Sequence, residues 1–210
     1  DSTAESEIDN GDTSVVEMPE GFEEEEDFTP ESTNMDIRDY VEMILGGPVQ
    51  EEVPESGYNE GDMGYYELLD VSNGYAKVTG PYEGWYEFAL WSMDDGEKLV
   101  GKTSGFCGPV CDYSYEFFLF DAAGDKRIVT EEVLPMDEIN EHKEIARKDI
   151  VKREEIEYED DAQLWFRPPQ LGTSMEVFIS VGANEFEIPL LTLSWDKKKF
   201  SVKEYYKEVK

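Results

Sequence analysis

"GFCGPVCDYSYEFFLFD", Gly105 to Asp121, is the stretch on which the fold turns. Its second half, Asp112 to Phe120, is dense in aromatic residues and reads as a β-strand. Its first half holds the chain's two cysteines, Cys107 and Cys111, around Gly-Pro-Val. A redox pair needs its first thiolate at a helix N-terminus, where the dipole lowers the thiol pKa. Here a strand follows, Asp112 opposes a thiolate, and the spacing is one residue longer than CxxC. A zinc site needs about four ligands. The single histidine, His142, would supply only a third, leaving a carboxylate to complete the set. A disulfide closing a Gly-Pro loop at a hairpin end needs nothing else. The pair therefore reads first as a Cys107–Cys111 disulfide, with free thiols, a metal site and a redox site as alternatives. No cofactor and no metal are expected.

Hairpin signals recur on both sides of this stretch. Asn73-Gly74 lies between the apolar runs of "YYELLDVSNGYAKVTG". Asp95-Gly96 separates Trp85–Trp91 from Leu99–Val100, and Gly124-Asp125 separates Phe117–Phe120 from Ile128–Val129. Further turns are expected at Gly182 to Asn184 and at Asp196 to Lys198. The runs between are rich in Val, Ile, Phe, Tyr and Trp, as half-buried strands require. The fold class expected is mainly β: an antiparallel, hairpin-built sheet or sandwich with one or two peripheral helices and a disordered acidic N-terminal tail.

The chain divides by composition. Residues 1–31 are dominated by Asp, Glu, Ser and Thr and read as the disordered tail. Residues 32–62 read as an amphipathic helix followed by an acidic linker. In that helix Ile37, Tyr40, Val41, Ile44 and Leu45 form one apolar face. Ser32, Thr33 or Asn34 is the expected cap, Asp36 suits the first turn, and Gly46-Gly47-Pro48 ends the helix. Its face is expected to dock on the protein's own sheet, with a partner surface as the alternative. Residues 63–210 form the β-rich domain, interrupted by a charged, partly helical insertion at 136–160.

The net charge of −33 restricts partners. Residues 1–62 hold 21 Asp and Glu against one Arg, a net of −20, and the remainder carries −13. No cluster of Lys and Arg is present to meet a phosphate backbone, so nucleic acid is excluded as a partner, and anionic lipid surfaces are disfavoured. No run of eighteen apolar residues occurs to span a membrane.

Catalytic signatures are absent from the sequence. GxSxG, P-loop, GxGxxG and HExxH patterns do not occur. His142, flanked by Glu and Lys, reads as a solvated surface residue. Glu83, Glu87 and Glu116 read as the outward faces of strands, and the acidic runs Asp9 to Asp12 and Glu157 to Asp161 lack EF-hand spacing. No catalytic residue is assigned. Among the aromatics, Tyr82, Trp85 and Tyr86 in "TGPYEGW" are the candidate ligand-binding residues. They would form a stacking platform for a sugar, with strand-core packing as the competing reading.

The order "NGY" (Asn73 to Tyr75), "ALW…DG…LVG" (Ala89 to Gly101), "CGPVC", "FFLFD" and "VTEEVLP" (Val129 to Pro135) resembles an uncharacterised family of exported Bacteroidetes proteins. "FRPPQLGTSMEVFIS" and "LTLSWDKKKFSV" are similar to the way such sequences end. The resemblance spans roughly 35–203. It implies a periplasmic or cell-surface location and allows a lipid anchor lost from this form. It carries no activity. The expected function is an exported, non-catalytic binding or cell-envelope-associated module acting on an unknown protein or glycan. A protein-partner or inhibitor module and a carboxylate-based glycan hydrolase are the alternatives. Thiol titration of the unfolded, unreduced protein is expected to find no free thiol. Reduction should lower stability by about 2 kcal/mol, the loop-closure value for so short a ring.

Overall fold

The computed structural model describes residues 35–53, 63–80, 84–108, 111–154, 162–180 and 187–205. The expected acidic tail, most of the linker, the Gly182–Asn184 turn and the three expected helix caps lie outside these residues. Among the described residues, ten strands form two antiparallel sheets. The first has six strands in sequence order: β1 (Tyr65–Asp70), β2 (Tyr75–Thr79), β3 (Trp85–Ser92), β4 (Lys98–Cys107), β5 (Cys111–Phe120) and β6 (Lys126–Ile128). The second has four, ordered β10 (Phe200–Tyr205), β9 (Glu187–Trp195), β8 (Met175–Ser180) and β7 (Gln163–Arg167). Neighbours in both sheets are neighbours in sequence, so each sheet is a meander built from hairpins. The sheets do not close into a barrel. The mainly β expectation therefore holds, and the expected turns at 73–74, 95–96, 124–125 and 196–198 each join paired strands.

Strand alternation gives the first sheet two buried faces. On one face, Ala76, Val78, Phe88, Val100, Phe118 and Phe120 receive the helix α1 (Ile37–Leu45) through Ile37, Tyr40 and Val41. Tyr40 meets Phe120 edge to face at 4.8 Å. Burying each of these three helix side chains contributes about 1.5–3 kcal/mol, which is why a helix too short to stand alone is stable here. Its cap is Asp36 rather than the residues before it. The Asp36 carboxylate accepts from the Arg38 N–H, while Asp39 reaches back to the Asp36 N–H at 2.8 Å. Asp serves as well as Ser because any short oxygen acceptor satisfies an orphan N–H. Gly46, at φ 81°, closes the helix by donating to the Glu42 carbonyl.

The other face of the first sheet packs on the second sheet. Ala89, Trp91, Leu99, Phe117 and Leu119 meet Phe166, Met175, Val177, Leu191, Leu193 and Phe200 in the main core. Trp91 sets its edge on Phe200 at 5.3 Å and donates its indole N–H to the Thr173 carbonyl at 3.2 Å. Two further helices, α2 (Thr130–Val133) and α3 (Met136–Glu154), follow β6. Helix α3 packs against β8 and β9, with Ile139 buried and Ala146 beside Ala162 and Ile179, while Ile145 stays exposed. The poor apolar period of this segment is thus met by a helix that lies lightly on the fold. Strand β7 is not among the strands expected from the sequence, although Pro168-Pro169 and Gly172, at φ 82°, mark the turn that joins it to β8.

Gly101 sits on the inner face of β4, opposite Ala89 and Phe117. A Cβ there would stand 2.8 Å from the Phe117 ring and 2.9 Å from the Trp91 ring. Both rings are buried and cannot withdraw. Gly101→Ala should therefore destabilise the protein by roughly 1–3 kcal/mol, read as a lowered denaturation midpoint with unchanged m-value. An unaffected midpoint would mean that the inter-sheet packing is loose.

Candidate functional site

The residues singled out from the sequence do not converge. Tyr82 lies outside the described residues. Trp85 and Tyr86 are adjacent on β3, so alternation sends them to opposite faces of the sheet. Trp85 faces the second sheet, where its ring lies over Gly105 and approaches Trp165 at 6.0 Å and Tyr113 at 6.4 Å. A Cβ on Gly105 would come within 2.6 Å of that ring. Tyr86 faces the α1 side, near Phe88, with the Lys102 ammonium 5.8 Å from its ring. The two rings therefore share no surface. Cys107 and Cys111 close the β4–β5 hairpin as a directly paired disulfide.

His142 stacks on Tyr205 with ring centroids 3.9 Å apart, and the Tyr205 hydroxyl donates to Glu138. The imidazole therefore joins α3 to β10 from a half-exposed position. Among the described residues, no group of three or more His, Cys, Asp or Glu is placed to hold a metal ion. Among those residues, too, no helix is long and apolar enough to cross a membrane. Glu83 and the acidic runs at 9–12 and 157–161 lie outside the described residues.

Glu87 corrects the sequence reading. It was expected on an outward face, but it shares the inner face of β3 with Ala89 and Trp91. Cross-strand neighbours on that face are Lys77 and Thr103. Burial pushes the Glu87 carboxyl above the ordinary carboxylate range, while the Tyr75 hydroxyl bonded to it, Lys77 and Arg167 act against that rise. Burial, reinforced by Glu87, also holds the Tyr75 hydroxyl protonated far above its usual range. Arg167 lies over the Trp165 and Phe178 rings at 4.6 and 4.4 Å and pairs with Glu176 at 3.5 Å. Thr103 is fully buried and its hydroxyl has no partner among the described residues, as is also true of the Trp165 indole N–H. This is a polar seam between two sheets. It holds an acid, its hydrogen-bond donor and two cations, but no nucleophile paired with a base.

An open cleft lies on the other side of the hairpin. It has a volume of about 1180 Å³ and runs between the middle of β5, the strand β6 and the corner where α2 gives way to α3. Its floor includes Tyr115, whose ring packs on Phe166 at 4.1 Å and whose hydroxyl reaches the Met136 Sδ at 4.0 Å. Ile128 stands on its rim, 60% exposed. Five of its thirteen lining residues are carboxylates and none is basic. Three of the five are held in place: Glu116 by Lys102 at 2.9 Å, Glu132 by Arg127 at 2.8 Å, and Glu138 by the Tyr205 hydroxyl. The sequence offers one signal for this cleft, the "VTEEVLPMDE" run, whose first seven residues are one of the motifs of the family resemblance.

No family matches the chain, and no curated protein matches it. Among solved structures it is similar to a domain of an uncharacterized protein from Porphyromonas gingivalis W83, at 9% identity and a TM-score of 0.43. That alignment covers 79% of this chain and 86% of the other.

The folded protein holds the Glu87 proton to a higher pH than the unfolded chain does. Between the two pKa values the folded state binds more protons, so stability contributed by this group falls as pH rises above the unfolded value near 4.5. Glu87→Gln removes that loss. Melting curves from about pH 4 to about pH 8 should show the variant gaining on the wild type as pH rises. A gap that stays constant or reverses would mean that the carboxylate is charged and fully compensated by Lys77 and Arg167.

Proposed function

We propose that this protein is an exported, non-catalytic binding module of the cell envelope, and that the cleft bounded by β5, β6 and the α2–α3 corner is its ligand surface. The observation that carries the reading is the cleft itself, about 1180 Å³, open, and lined by five carboxylates, three of them held by partners, together with apolar side chains. Ligand sites of small molecules occupy about 300–1,000 Å³ and enclose most of the ligand. An open trough of this size suits part of a larger molecule. Export is supported by the Cys107–Cys111 disulfide, which persists in oxidising compartments, and by the sequence resemblance to exported Bacteroidetes proteins.

Amide chemical shifts of the isotopically labelled full chain, titrated with oligosaccharides and with peptides of both charge signs, test this reading. A ligand should shift Tyr115, Ile128, Thr130 and Asn140 and be recovered chemically intact. Turnover of the ligand, or shifts centred on Trp85 or Tyr86 instead, would overturn it.

A further inference from the structure

The wall of the cleft contains a length of open sheet edge. Phe117 turns both backbone groups away from β4: its carbonyl accepts from the Val129 N–H at 2.8 Å and its N–H donates to the Thr130 Oγ1 at 3.0 Å. The period of two along a strand turns the N–H and C=O of Tyr115 the same way. There β6 has already left the sheet, since its ladder with β5 runs only from Phe118 to Phe120. Beyond Tyr115 the edge closes again, where the Tyr113 N–H donates to the Gln163 side chain at 3.0 Å. Thr130 and Gln163 thus cap the edge on either side. Between them the Tyr115 N–H and C=O have no partner among the described residues, and Tyr115 lines the cleft.

The charge around that edge selects among occupants. Glu131 and Asp137 line the cleft, are exposed, and have no ion pair or hydrogen bond among the described residues. The overall charge of −33 adds a negative field behind them. This field rejects phosphate backbones and anionic lipid. It also rejects the chain's own first 34 residues, which carry no Lys or Arg. For a sugar the cleft offers one aromatic ring, Tyr115, and that ring is already packed on Phe166 at 4.1 Å.

We propose that the cleft receives an extended, lysine- or arginine-bearing segment of a partner protein, which pairs with Tyr115 as an added strand. The proposal rests on the binding-module reading above and names its partner class. Backbone hydrogen bonds to Tyr115 set the register, as in strand addition to an open edge. Successive side chains then point alternately toward the apolar Ile128 rim and toward Glu131 and Asp137. The carboxylates steer the encounter and set its salt dependence.

The test uses the full chain and three short peptides: alternating Lys and Val, its Glu and Val counterpart, and the lysine peptide with alternate backbone nitrogens methylated. The lysine peptide should bind, shift the Tyr115 amide, and weaken markedly as salt is raised. The glutamate peptide should not bind, and methylation should abolish binding because it removes the ladder donors. The double substitution Glu131→Gln, Asp137→Asn should weaken binding by roughly threefold to tenfold, with the melting curve confirming that the fold is intact. Equal binding of both charge signs, or undiminished binding of the methylated peptide, would overturn the proposal. If an oligosaccharide or a neutral peptide shifts the cleft residues while the lysine peptide does not, the partner class fails and the binding-module reading stands. If no probe of either class shifts them, both fail.

Discussion

Strand β4 yields its inner face to glycine where the two sheets must approach. Gly101 lies beneath Phe117 and Trp91, and Gly105 lies beneath Trp85. Without side chains at these two positions, aromatic rings from β3 and β5 close over the strand and present a continuous surface to the second sheet. Everything on the far side rests on that surface: Phe200 against Trp91, Phe166 against Tyr115, and Trp165 against Trp85 and Tyr113. The first sheet is also covered on its other face by α1, so its central strands are buried twice. This explains their near-continuous apolar character, most clearly in Phe117 to Phe120, all four of which are buried.

The same arrangement places the cleft. The β4–β5 hairpin pairs without a bulge along ten residues of each strand, and the disulfide closes its end. Strand β6 is only three residues long. The difference in length leaves the edge of β5 uncovered beyond Phe117. The chain turns there into α2 and α3, which stand back from the sheet and wall the gap. Open edges invite unwanted pairing, and proteins blunt them with short strands and charge. Here capping side chains flank Tyr115, whose backbone has no partner among the described residues, and carboxylates surround it.

The polar seam around Glu87 is a different case. A carboxyl withdrawn from water is kept near a Tyr hydroxyl, a Lys and an Arg, yet burial still dominates its titration. The buried hydroxyl of Thr103 lies on the adjoining strand. Such groups cost stability when unpartnered, roughly 1–3 kcal/mol each. They mark where the inter-sheet packing is least apolar.

The sequence by itself determined most of the hairpins, the disulfide and the amphipathic helix, because each rests on local chemistry: turn residues at fixed offsets, two cysteines bracketing a tight loop, a 3.6-residue period. It also contained the separation of Trp85 from Tyr86, since neighbours on a strand point to opposite faces. It did not determine which face the second sheet would cover. Alternation groups residues into two sets without saying what each set meets, so Glu87 read as solvent-facing and proved to lie between sheets. Strand β7 was hidden for the same reason, as its five residues gain their order from Tyr113 and Trp85, about fifty and eighty residues away. The cleft belongs wholly to tertiary structure: it exists because β6 ends before β5 does, and because α3 packs against a sheet formed by the last strands of the chain.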